Sequence, residues 1–472
     1  MYPVVLISAI AIALTSPMAN AATEGNAKAL QKIAPLEYES YIHSLNTSEE
    51  PDRFRTPYDP IFSINYGKMY NYRDMQGGKR SHAKSMLEAY WSMGGSFDGF
   101  GKCILCHSSD SPALIEKYGE KAVMNNELDI ANLAFNPVGC ANCHDTKTFA
   151  LRVTTPPARR YLKGQGKDPD NLSIQEARSA ICQQCHFEYD QKTYDGFKHV
   201  ESDWSVFGNL DKISARYDNP DSAKKVNPLS KAPLTVPMNN EAGLASQGDH
   251  ALRGVACTQC HMPRDSKHNP SFTLHDNVMG SRIVAMSCQS CHPNQSVKQL
   301  TDVIDQRMST WRGERMQGIG KAIASIHLKL HDLLEQGAST NDLAAVYDPL
   351  RKAQWRWDYV NWQKGASFHA PKLVSRLMDE SDVQIKSANE MLDRIVKEKN
   401  YRTPEVPDFS TPEAVAKILG APWPQPSTEA INYEHVLKSV NYGQKSGHLD
   451  PVIANDEINA IKTETKGLSN VK

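Results

Sequence analysis

Beyond its first residues this sequence of 472 has no long apolar run, no dominant charge sign and no arginine anywhere between Arg80 and Arg152. Each absence excludes something. A net charge of -1 gives no global field to attract nucleic acid or an anionic membrane, so any partner must be selected by local patches. Crossing a membrane needs about 20 consecutive apolar residues, and no segment after the N-terminus supplies them. The one apolar run, Val4 to Leu14, has the length of a signal-peptide core and is followed by Ala19-Asn20-Ala21, an A-x-A cleavage pattern. Residues 1–21 are therefore read as a signal peptide, and the mature chain as exported, soluble and without a transmembrane segment.

No cysteine is available for a disulfide framework either. All ten fall in five Cys-x-x-Cys-His runs: Cys103, Cys106 and His107; Cys140, Cys143 and His144; Cys182, Cys185 and His186; Cys257, Cys260 and His261; Cys288, Cys291 and His292. In this motif two thiols add covalently to the vinyl groups of a haem and the histidine reaches the iron. A single copy also suits zinc or redox chemistry, but five complete copies with no stray cysteine point to five c-type haems. Export agrees with this, since c-type haem is attached outside the inner membrane. Apolar residues make up only 40% of the chain, and the haems would complete the core.

The spacing of the motifs is irregular, which excludes a repeat array. Ala27 to Ile42 has room for a helix. From Cys103 to His186 few periodic stretches occur, as expected where cofactors organise the chain. Glu188 to Gly254 is rich in Pro, Asn, Ser and Asp and reads as ordered loop with short helices, the expected wall of a site. Apolar residues then recur at three and four residue intervals over Val297 to Leu334, Asn341 to Gln363 and Lys372 to Lys399, predicting three long helices. Beyond Gly420, Pro422, Pro424 and Pro426 suggest a surface coil. The fold class is mainly α, with boundaries at 22–295 for the haem-binding region, 296–410 for the long helices and 411–472 for a polar tail.

Each motif supplies one axial ligand, and eleven histidines remain for the opposite faces of the irons. An iron with two histidines carries electrons; one with an open face can bind substrate. His327 and His331 sit on a helical period and read as packing or surface; Trp355 and Trp357 read as core. His43, His435 and His448 have no other site feature near them.

Gly139 to Asp145, Cys182 to Tyr189, Cys257 to Pro263, Ala353-Gln354-Trp355-Arg356-Trp357-Asp358 and His369-Ala370-Pro371 together resemble the pentahaem cytochrome c nitrite reductases, periplasmic enzymes that reduce nitrite to ammonium. The resemblance runs from about Tyr66 to Asp408. It implies a multihaem cytochrome c fold, a homodimer through the long C-terminal helices and a quinol-linked cytochrome as electron donor. It also implies distal ligands at His82 for the third haem, His275 for the second, His369 for the fourth and His250 for the fifth. The haem on His107 would keep an open face, with Tyr189 and Asn239 in its pocket.

Departures from that family are concentrated at this pocket. The first family motif usually ends in lysine; here it ends in His107. The arginine that holds nitrite is missing, the region reading Tyr90-Trp91-Ser92-Met93-Gly94-Gly95. Val236, Met238 and Asn239 stand where the family has Lys, Gln and His. Asn239 can donate a hydrogen bond but cannot titrate. Glu188 and Tyr189 keep the family's calcium and active-site positions, but without the glutamine amide the calcium position is expected to be empty or differently filled. The sequence thus leaves two readings, a reductase of nitrite or a related small substrate such as hydroxylamine or sulfite, and an electron-transfer cytochrome without catalysis.

Overall fold

The structure, a computed structural model, describes residues 25–45, 59–69, 81–92, 101–125, 127–202, 204–237, 240–276, 281–363, 365–422 and 433–469. Residues 1–21, Met93 to Gly95, Met238 and Asn239 lie outside them. The chain is mainly helical. The strands among the described residues form three two-stranded antiparallel sheets, the largest pairing Asp190–Tyr194 with Phe197–Glu201.

The long helices form where the apolar period placed them, and their ends follow from capping. Ser296 accepts from the Gln299 amide and starts Val297–Met308, which continues through a π-helical stretch, Ser309–Arg315, into Met316–Glu335. Ser339 and Asp342 form a capping box for Thr340–Trp362. Pro371 occupies the first position of Pro371–Lys399, where its missing N–H costs nothing, and Asn400 ends that helix at φ 57°. Ile319, Ile323, Ile326 and Leu330 interdigitate with Leu343, Val346, Leu350 and Trp357, and with Leu377 and Leu392. Each fully buried aliphatic side chain contributes roughly 1.5–3 kcal/mol. Phe62, Phe187 and Leu244 join the same core, which ties the long helices to the motif-bearing region. Trp355 and Trp357 are core residues, and His327 is buried between the Ser230 hydroxyl at 2.7 Å and Gln354 Oε1 at 2.8 Å.

The motifs sit on or at the ends of short helices, Gly101–His107, Cys140–Cys143, Ile174–Gln183, Cys257–His261 and Ser281–Cys291, and these are wired to one another. Asn142, inside the second motif, donates to Ser108 O at 2.9 Å just after the first. Gln184, inside the third, donates to Asn142 O at 2.9 Å. Gln175 reaches Gln259 of the fourth motif at 3.3 Å, and Ser287 donates to Cys260 O at 2.7 Å, joining fourth to fifth. The buried amides of Asn142 and Gln184 fix register, because breaking either bond leaves a polar group unsatisfied. No disulfide joins the cysteines.

The C-terminal segment departs from the expected coil. Tyr433–Lys445 and Pro451–Ser469 are helices. Val436, Val440, Leu449, Ile453, Ala454 and Ile461 are buried in an apolar cluster that also takes in Ile104 and Leu105 of the Gly101–His107 helix. The first helix lies on Ile130–Asn132, where Ser439 donates to Ala131 O at 2.6 Å, and the second on His82–Lys84, where Lys84 meets Asp456 at 2.7 Å. The prolines that suggested coil precede these helices, and the apolar face behind them is what the tail buries. The N-terminal helix also differs, splitting into a 3-10 turn at Ala27–Leu30 and a helix at Pro35–His43, because Pro35 restarts the chain. Within 188–254 the structure adds the Asp190–Glu201 hairpin and the helix Leu210–Asp218.

Candidate functional site

Four of the motif histidines each face a second histidine. Ring centroids are 6.4 Å apart for His82 and His186, 6.3 Å for His144 and His275, 6.0 Å for His261 and His369, and 6.4 Å for His250 and His292. Two imidazoles on opposite sides of one metal, at about 2.0 Å per metal–nitrogen bond, have centroids about 6.3 Å apart. The four pairs therefore have the spacing of two imidazoles that could share one metal. Burial holds His82 down at about 3, with the neighbouring imidazoles adding to the effect, and burial likewise lowers His144, His186, His250 and His275. A neutral imidazole is the form with a lone pair for a metal.

His107 has no facing histidine among the described residues. Its Nδ1 meets Ser85 O at 2.9 Å, and the Ser85 hydroxyl donates back to His107 O at 2.8 Å while accepting from Val138 N at 2.7 Å. That clasp fixes the ring, and Nε2 meets no partner among the described residues. Tyr189 packs beside Cys103 and Cys106, and burial pushes its phenol up to about 12, so it is a hydrogen-bond donor at neutral pH. Asn239, the other expected pocket residue, lies outside the described residues.

The surroundings of His369 were not legible in the sequence. Its Nδ1 lies 2.5 Å from Glu241 Oε1, and Glu241 Oε2 accepts from Gly365 N at 3.3 Å. Burial opposes both charges, yet the hydrogen bond and mutual attraction outweigh it, raising His369 and lowering Glu241. No spacing rule would have linked residues so far apart in sequence.

Glu188, expected at a calcium position, is buried, with Oε1 accepting from Arg216 Nη1 at 2.6 Å and Oε2 from the Tyr217 hydroxyl at 2.6 Å. A cation here would have to displace a guanidinium, so these residues do not fit calcium. Arg216 was missed because it lies 28 positions away, on one of the short helices expected in that segment but not placed by the sequence. Among the described residues no group of three or more His, Cys, Asp or Glu is arranged to hold a metal ion. Of the other histidines, His43 meets Asp276 at 3.2 Å, His199 is buried beside Asp195 at 3.1 Å, and His268 meets Pro270 O at 3.1 Å.

A mainly helical scaffold that wires Cys-x-x-Cys-His motifs together and pairs their histidines defines a multihaem cytochrome c. The profile of the cytochrome c552 family matches residues 61–445, and the chain belongs to that family. Cytochrome c-552 of Bacteroides fragilis is 30% identical over 322 residues, covering 67% of this chain and 64% of that protein. The match thus spans less than two thirds of the Bacteroides protein's own length. Cytochrome c-552 of Porphyromonas gingivalis is 28% identical over 404 residues, covering 82% of this chain and 80% of the other. The same fold is found in the catalytic subunit NrfA of cytochrome c nitrite reductase from Desulfovibrio desulfuricans, with a TM-score of 0.66 at 20% identity over 84% of this chain and 90% of that one. That structure has two calcium sites. Among the described residues no helix is long and apolar enough to cross a membrane.

Proposed function

We propose that the protein is an exported, periplasmic pentahaem cytochrome c that reduces nitrite, or a related small substrate such as hydroxylamine or sulfite, at the haem carried by His107. The observation that carries this reading is the imbalance of histidines: four motif histidines have a facing partner and His107 has none among the described residues. His82, His275, His369 and His250 then serve as distal ligands, giving four electron-transfer haems and one with an open face. Haem supplies the electron storage and the substrate-binding iron. The chain's own residues set the rest. Cys103 and Cys106 anchor the macrocycle, Ser85 orients His107, and Tyr189 presents a phenol proton for hydrogen bonding to a bound oxyanion, with Asn239 a further donor. A homodimer through the long helices and a quinol-linked cytochrome donor belong to the same proposal, and sedimentation of the holoprotein tests the first.

One observation favours a second reading, electron transfer without catalysis. Nitrite reduction needs six electrons and eight protons, and the sequence lacks both an arginine between Arg80 and Arg152 and an imidazole at Asn239. Losing one charged donor costs roughly 100 to 1000-fold in such sites. Spectroscopy separates the readings. The reductase predicts a high-spin ferric haem and binding of carbon monoxide or cyanide by the reduced protein; absence of all three signals refutes it. With a high-spin haem present, turnover of nitrite, hydroxylamine and sulfite with a reduced dye identifies the substrate. Replacing His82, His250 or His275 by Met should perturb one low-spin haem each.

A further inference from the structure

His107, His144 and His275 direct Nδ1 at backbone carbonyls, those of Ser85, Phe149 and Thr273, at 2.9, 2.8 and 2.8 Å. His369 instead meets a carboxylate, Glu241, at 2.5 Å. The fold is built around this contact. A Cβ on Gly365 would fall 2.6 and 2.7 Å from His369 Cε1 and Nδ1 and 2.8 Å from Glu241 Oε1, so glycine there is what lets the pair meet. A Cβ on Gly248 would fall 1.8 Å from His369 O, so the backbone behind the ring is also seated on a glycine. Glu241 opens the helix Glu241–Ala245, and the next amide, Ala242 N, donates to His186 O at 2.9 Å. The carboxylate is thus fixed between the histidine of the third motif and the histidine facing the fourth.

We propose that Glu241 is a positioning residue for electron transfer, holding the Nδ1 proton of His369 so that the imidazole gains imidazolate character and the haem between His261 and His369 has a lower reduction potential than its ligands alone would set. This rests on the reading of His261 and His369 as axial ligands. The physical basis is that a more basic, more negative ligand stabilises the ferric over the ferrous iron, and a buried carboxylate adds to this by its own charge. One electron enters or leaves the iron, no bond is made or broken, and the proton stays on Nδ1.

The test is a spectroelectrochemical titration of the holoprotein, followed by absorbance and electron paramagnetic resonance, with haem content measured for every variant. Glu241→Gln keeps the shape and removes the charge. Its expected effect is at least a tenfold shift of one low-spin haem toward the reduced form, about 59 mV for one electron. The haem between His144 and His275, whose ring nitrogens meet carbonyls, should not move. Gly365→Ala, which pushes the carboxylate off the ring, should move the same haem in the same direction, and it carries the test if Glu241→Gln does not assemble. Full haem content with unmoved potentials in the assembled variant overturns the proposal, as does an equal shift of every haem. His369→Met distinguishes the two levels. If it leaves all low-spin signals unchanged, the ligand reading fails; if it perturbs one while the charge and glycine variants move nothing, only the role of Glu241 fails.

Discussion

Replacing Arg216 by Ala removes a guanidinium from a carboxylate that is 2% exposed. Taking one partner from a buried ion pair costs about 3–5 kcal/mol, because the remaining charge keeps its desolvation penalty. Arg216 is itself 30% exposed, so water partly replaces it, and the expected loss falls to about 2–3 kcal/mol. At an unfolding entropy near 2.1 cal/mol/K per residue, a domain of this size loses roughly 1 °C per kcal/mol, so the thermal midpoint of the holoprotein should fall by about 2–3 °C. Wild-type protein should gain nothing from millimolar calcium, since Arg216 already serves Glu188, whereas Arg216→Ala should recover part of its loss. Adding Glu188→Gln to Arg216→Ala should restore stability by removing the stranded charge. An Arg216→Ala midpoint within experimental error of wild type, or calcium stabilising wild type and variant alike, would refute the role given to this pair.

Tyr189→Phe should lower substrate turnover by about 100-fold while leaving the haem spectra intact, because it removes one hydrogen-bond donor and no ligand; unchanged turnover would place the phenol outside the site. Burial pushes the carboxyl of Glu457 up to about 8, with Asp456 adding to it. A raised acid binds its proton in the folded state when the unfolded chain has lost it, so stability is full below the ordinary glutamate range and falls as pH rises toward 8. Glu457→Gln should flatten that dependence and unfold later than wild type at pH 8, as denaturant curves at several pH values would reveal. Ile453→Ala, in the apolar cluster shared with Ile104 and Leu105 of the first motif, should cost about 2–5 kcal/mol and loosen the His107 site first, seen as an earlier loss of any high-spin signal on heating.

The sequence by itself determined the class of the protein. Cysteine and histidine at fixed short spacing are chemistry written in one dimension, so the five motifs and the cytochrome resemblance could be read directly. The three long helices were legible for a similar reason: an apolar period over twenty residues and a capping serine or N-terminal proline are local properties. Tertiary structure decided what faces what. That His82 lies against His186, and His275 against His144, was reached from the sequence only through the family resemblance, since the pairs are separated by about a hundred residues or more. Arg216 at Glu188, Glu241 at His369 and Ser85 at His107 had no sequence signal at all. Each is a contact between segments distant in sequence, selected because a buried charge or ring nitrogen must find a partner. The C-terminal helices show the same division. The prolines before them and their polar residues described backbone and surface, but only the shared apolar cluster with Tyr38, Tyr41, Phe135, Ile104 and Leu105 explains why they fold inward.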